Sequence, residues 1–122
     1  MVAQRHHVQP DANLRPLDLR RDLNLSRERM ARLVDVSAKT VERWESQQAI
    51  PAGASTRVRF QLARIQAMRD LGLTVYSPDG FREFLRTPLP AFGGKTALQM
   101  VEQGAIDEVV AALAADYEGL GS

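Results

Sequence analysis

The sequence predicts an all-α fold, a compact bundle of about seven helices, from three observations. No segment alternates apolar and polar residues convincingly; the short stretch around Val75 is the one strand candidate. Apolar residues recur instead at steps of three and four, as in Val58, Leu62, Ile65 and Met68 or in Ile106, Val109, Val110, Leu113 and Tyr117. Serine or threonine stands in the N-cap position before several of these runs, where its oxygen can accept from backbone N–H groups of the first turn.

Each element follows in order. Residues 1–13 carry no periodicity and are expected to form a flexible tail. Pro16 suits a first turn, and Leu19 and Leu23 share a face, so a short helix should end near Asn24. Ser26 caps a second helix with Met30, Ala31, Leu33 and Val34 on one side. Asp35-Val36-Ser37 interrupts the pattern, and Ser37 caps a third helix with Val41 and Trp44 pointing inward. After the turn Ile50-Pro51-Ala52-Gly53, a longer helix is expected from about Ser55 to Leu71, stopped by Gly72, with residues 73–76 as an extended link. Ser77 and Pro78 open the next helix, whose buried face is Phe81, Phe84 and Leu85. Two prolines and two glycines between Thr87 and Gly94 demand a shaped loop. Thr96 caps a helix to Val101, Gly104 breaks it, and Ala105 to Tyr117 forms the last helix. Residues 119–122 read as a free end unless a partner holds them.

Length and composition limit the function classes. With 122 residues the chain holds one ordinary domain or two small ones sharing a core. It has no cysteine, and its two histidines are the adjacent His6 and His7, read as tail residues. Thiolate and most histidine-based catalytic or metal sites are therefore excluded, and no metal or cofactor is expected. No nucleophile, base and orienting group can be drawn together. Asp107 and Glu108 are sequence neighbours and point in different directions from a helix. No apolar run is long enough to span a bilayer and the first ten residues have no secretory character, so a cytoplasmic, non-membrane protein is expected. Charge is asymmetric: 13 basic against 7 acidic residues up to Arg69 give +6, and 3 against 8 from Asp70 onward give −5. Two partners of different character would account for this, as would merely uneven charge.

The segment Leu25 to Glu45 has a small Ala31 where two helices must approach, and Val41 and Trp44 at the spacing that packs a third helix on its scaffold. Residues 14–71 resemble the Cro/Xre class of helix-turn-helix domains, departing from it at Asp35, where glycine is usual; aspartate tolerates the left-handed backbone there. The resemblance implies a recognition helix reading operator DNA through Ala38, Lys39, Thr40 and Arg43. Lys39 and Arg43 would donate to guanine, Ala38 would touch a thymine methyl, and Ser26 and Arg27 would face phosphates. A solvated basic hairpin, or a retained fold without DNA binding, remains an alternative.

Residues 72–122 are read as a second domain, and the stretch from about Leu71 to Tyr117 is similar to the C-terminal domain of the Xre/MbcA/ParS antitoxins. The resemblance rests on Phe84-Leu85, Thr87-Pro88-Leu89-Pro90, Gly93-Gly94-Lys95-Thr96, Gly104 and the stripe from Ile106 to Tyr117. Phe84 stands where tryptophan is frequent and Ala97 where proline is frequent. The resemblance implies an N-terminal helix-turn-helix followed by a toxin-binding module. The implied partner is a RES-domain toxin that consumes NAD+ or transfers ADP-ribose from it. The toxin-binding surface would comprise Phe92, Gly93, Gly94, Lys95 and Thr96 in the loop and Tyr117, Glu118, Gly119 and Leu120 at the end. A homodimer or a toxin–antitoxin hetero-oligomer is expected. On the residues alone, Gly93 to Thr96 fits equally a loop and helix cap of purely structural duty; it is no phosphate loop, because the GxxxxGK[ST] spacing and preceding strand are absent. The competing functional reading is a stand-alone transcription regulator whose C-terminal module only dimerises.

Overall fold

The computed structural model describes residues 14–120; the expected tail at residues 1–13, His6 and His7 included, lies outside the described residues, as do Gly121 and Ser122. The described residues form seven α-helices: α1 (Pro16–Leu23), α2 (Arg27–Val34), α3 (Ala38–Gln47), α4 (Thr56–Val75), α5 (Pro78–Arg86), α6 (Ala97–Glu102) and α7 (Ile106–Leu120). The all-α expectation holds. A single 3-10 turn, Pro90–Phe92, lies between α5 and α6.

The helix starts arise from local side-chain chemistry. Ser26, Ser37, Ser55, Ser77 and Thr96 each accept a backbone N–H of the first turn that follows. Thr96 also receives the reciprocal half of a capping box, its own N–H donating to the Gln99 side chain at 2.9 Å. Pro16 and Pro78 occupy first-turn positions, where a missing N–H costs nothing.

One continuous core runs from Leu14 to Leu113 and takes residues from all seven helices. α4 is its axle, touching α1 and α2 on one side and α5 and α7 on the other, with α7 its most extensive partner. Val58, Leu62, Ile65 and Met68 are buried along it, as the periodicity predicts.

The expected stop at Gly72 is wrong. α4 continues to Val75, and its last turn is closed by the Tyr76 N–H on the Gly72 carbonyl at 2.8 Å. Residues 73–75 are therefore helical rather than an extended link. Gly72 serves close approach: a Cβ there would lie 2.1 Å from Phe81 Cε1, and Phe81 is fully buried. The expected free end is also corrected at Gly119 and Leu120, which continue α7.

The two parts of the chain are bolted together by arginines. Arg82 Nη2 donates to the Arg21 carbonyl at 3.0 Å, and Arg86 Nη2 donates to the Leu23 carbonyl at 3.0 Å and to that of Asn24. These carbonyls lie at the end of α1, where the helix ladder runs out; that of Arg21 also accepts the Asn24 N–H at 3.0 Å. Burial, and then the nearby charges of Arg29 and Arg82, lower the pKa of Arg86, yet its carbonyl partners hold it in place. Arg29 pairs with Glu102 at 2.9 Å, Arg69 with Asp22 at 2.8 Å, and Arg64 with Asp107.

Candidate functional site

Two surfaces carry the residues singled out by the sequence. The first is built on α2 and α3. α2 ends at Asp35, which takes the left-handed conformation at φ 59° and sends its N–H to the Ala31 carbonyl. The tight turn is therefore made without glycine. The Asp35 carboxylate faces Arg57 at 3.1 Å, which offsets its negative charge. Ser37 then starts α3 by accepting the Thr40 N–H at 3.0 Å, and its hydroxyl lies 2.9 Å from that of Thr40.

α3 buries Val41, Trp44 and Glu45 and leaves Lys39 and Arg43 exposed; Ala38 and Thr40 are half-buried. Neither Lys39 nor Arg43 makes an ion pair among the described residues, so both charges face outward uncompensated. Ser26 is a helix cap and Arg27 is only partly free. Arg27 Nε donates to Glu45 Oε1 at 2.9 Å, while 45% of its side chain stays exposed.

Glu45 is the residue that sequence reading missed. It is the buried charged residue of the described chain, and it gathers two cations from two other helices. Arg20 of α1 reaches both its oxygens, through Nε to Oε2 and through Nη2 to Oε1 at 3.0 Å, and also donates to the Leu25 carbonyl at 3.0 Å. Burial pushes the Glu45 carboxyl up, but hydrogen bonds and charge from Arg20 and Arg27 outweigh it and hold the pKa below the usual range. The Glu45 hydrogen bond raises Arg20 in turn, against the opposing effect of burial. The signal was available. Val41, Trp44 and Glu45 share one helix stripe, and a carboxylate on an inward stripe requires a partner.

The second surface belongs to α5–α7. The loop after α5 closes on itself: the Leu89 N–H donates to the Lys95 carbonyl at 3.1 Å, and the Gly94 N–H to the Leu89 carbonyl at 2.9 Å. Gly93 and Gly94 both have positive φ, 67° and 85°, which lets the chain reverse here. Phe92 is corrected from surface to core: its side chain is buried and meets Phe84 edge-on, with ring centroids 6.5 Å apart. It anchors the loop from beneath. Gly93, Gly94 and Lys95 are exposed, with Lys95 Nζ on Gln103 Oε1 at 2.8 Å, and Thr96 is half-buried in its cap. At the far end, Tyr117 is 51% exposed, and Glu118 and Gly119 are exposed. The loop and the end of α7 thus place most of the predicted residues at the surface.

Among the described residues no group of three or more histidine, cysteine, aspartate or glutamate side chains could hold a metal ion. No described helix is long and apolar enough to cross a membrane.

The architecture is that of a compact all-α protein whose C-terminal helices form a module fastened to the N-terminal ones. Residues 72–119 match the family model of the antitoxin Xre/MbcA/ParS C-terminal toxin-binding domain. This segment, somewhat over a third of the chain, is similar to that domain family. A chain of the crystal structure of the M. tuberculosis MbcT–MbcA toxin–antitoxin complex is similar in fold, with a TM-score of 0.65, 23% identity, and coverage of 85% of this chain and 91% of that one. No curated protein matches the chain.

Proposed function

We propose that this chain is an antitoxin that binds a RES-domain toxin through its C-terminal module, obstructs the toxin's NAD+ site, and represses its own operon through α3. The observation that carries the first part is the toxin-binding domain match over residues 72–119, on which the exposed Gly93–Lys95 loop and the end of α7 stand out from a buried core. Obstruction needs only antitoxin atoms in the cofactor's path, so this chain need supply no catalytic group. Acidic residues of the second half would complement a basic NAD+ cleft.

Co-purification with a RES-domain protein encoded beside this chain is the direct test, and a truncation after Tyr117 refines it. The truncated protein should stay helical, because the buried Leu113 is retained and Glu118 and Gly119, which are removed, are exposed. It should still bind the toxin through the remaining surface while inhibiting NAD+ consumption less. Full inhibition by the truncated protein would remove the end of α7 from the blocking surface and leave the Gly93–Lys95 loop. Failure of any RES-domain partner to bind would favour the reading as a stand-alone regulator.

Operator binding is supported by the exposed, uncompensated Lys39 and Arg43 on a capped helix that follows a tight turn, the arrangement of a helix-turn-helix reader. Two copies on paired half-sites are the expected form. Arg43→Ala should weaken operator binding by roughly 1–3 kcal/mol, the value of one good base contact. Its melting temperature should match the parent's, since the side chain is exposed. Unchanged affinity in a titration at fixed salt would take Arg43 out of the interface.

A further inference from the structure

The outward face of α3 carries one anion among its cations. Lys39, Glu42, Arg43 and Ser46 are exposed at the i, i+3, i+4 and i+7 positions of one stripe, and with Gln47 they line a shallow hollow of about 290 Å³. The Glu42 side chain makes no ion pair or hydrogen bond among the described residues, although Arg43 is its neighbour and Lys39 stands one turn before it. Helix stability does not account for an acid here. Glu42 is the fifth residue of α3, past the first turn in which the helix dipole favours a carboxylate. It also follows Lys39, and a carboxylate supports a helix better when it precedes the cation. On a face turned toward DNA, a carboxylate is repelled by the phosphates at every sequence. A charge so placed needs a hydrogen-bond donor that only some sequences supply.

We propose that Glu42 is a specificity-determining residue of the DNA-reading face and selects cytosine. A carboxylate only accepts hydrogen bonds. In the major groove the base donors are cytosine N4 and adenine N6, and adenine sets its N7 acceptor beside that donor, where it opposes the carboxylate's lone pairs. Guanine offers two acceptors, and thymine an acceptor and a methyl, so both leave the charge unmet. Cytosine alone gives a donor without a neighbouring acceptor. Lys39 and Arg43 suit the guanine edge, so the stripe as a whole addresses G·C pairs. Successive helix residues point about 100° apart, which sets Glu42 and Arg43 on either side of the line through Lys39 and Ser46 and lets them reach different bases. The penalty of an unmet carboxylate rejects other sequences, so Glu42 discriminates by repulsion as well as by contact. The inference rests on the operator reading of α3, and it adds the base that is demanded and the residue that demands it.

The test is selection of binding sites from a library of random duplexes by the full-length protein, in parallel with Glu42→Gln and Glu42→Ala. The parent should enrich cytosine at one fixed position. Glu42→Gln should enrich adenine there, because a side-chain amide pairs with both N6 and N7 of adenine, and should leave the other positions as they are. Glu42→Ala should accept any base at that position. In titrations at fixed salt, exchanging that C·G pair for T·A should weaken the parent roughly tenfold or more and Glu42→Ala less than about twofold. All three proteins should melt together, because the side chain is exposed. A parent consensus that both variants reproduce overturns the assignment of Glu42 and leaves the operator reading standing. So does a parent preference for any base but cytosine at the position the variants change. A parent that enriches no sequence overturns both.

Discussion

Trp44→Ala should lower stability by about 3–5 kcal/mol, the cost of removing a large side chain from a small core. Trp44 is 3% exposed, on the face of α3 that packs against α1 and α2. Its loss leaves a cavity where three short helices meet, none longer than ten residues, and short helices hold together through such packing rather than by themselves. For a chain of this size the melting temperature should fall by more than about 10 °C. Thermal melts followed by circular dichroism would show it, with no DNA or partner present. A variant melting like the parent would mean that the indole supports nothing and that the inward assignment of α3 is wrong. The contrast with Arg43→Ala is informative, since the two residues are neighbours in sequence and face opposite ways.

Glu45→Ala should cost roughly 3 kcal/mol. The change does not merely delete an ion pair; it leaves Arg20, 18% exposed, charged and without its carboxylate. The figure sits at the low end for a broken buried pair because Arg27 is nearly half exposed and can turn to water. Glu45→Gln, which preserves shape and some hydrogen bonding, should cost less. The effect has a definite pH dependence. The folded-state pKa of Glu45 lies below its unfolded value of about 4.3, so its contribution is complete above that pH and is lost as pH falls through the folded value. Melts at a series of pH values should show the gap between parent and Glu45→Ala widest near neutrality and closing below about pH 4. A gap that stays constant down to pH 3 would mean that the carboxylate's charge is irrelevant and only its packing matters.

What could be read from the sequence, and what could not, divides along the range of the forces involved. Helix starts at Ser26, Ser37, Ser77 and Thr96 are legible because a cap and its N–H partner lie within three residues of one another. The left-handed turn at Asp35 is legible for the same reason. Gly72 is not, because its meaning comes from Phe81 on a different helix. Without that ring, glycine after an apolar stripe reads as a stop. The Glu45 cluster likewise joins residues of α1, α2 and α3, and only the stripe shared with Val41 and Trp44 hints at it. In the C-terminal module the turn chemistry of Gly93 and Gly94 is plain in the sequence, whereas the burial of Phe92 depends on Phe84, eight positions earlier on α5. Phe60 falls outside the Val58–Leu62–Ile65 stripe, and its position off that stripe is itself the sign of a face turned away from the core.

The passage of α4 through residues 71 and 72 has a mechanical consequence. A junction made of continuous helix, braced by Arg82 and Arg86 across to the end of α1, has no joint at which the molecule can bend or be cut without unravelling what lies on either side. A force applied to the C-terminal helices is therefore delivered to the N-terminal ones as a tilt of the whole body. A ligand that grips one end sets where the other end points.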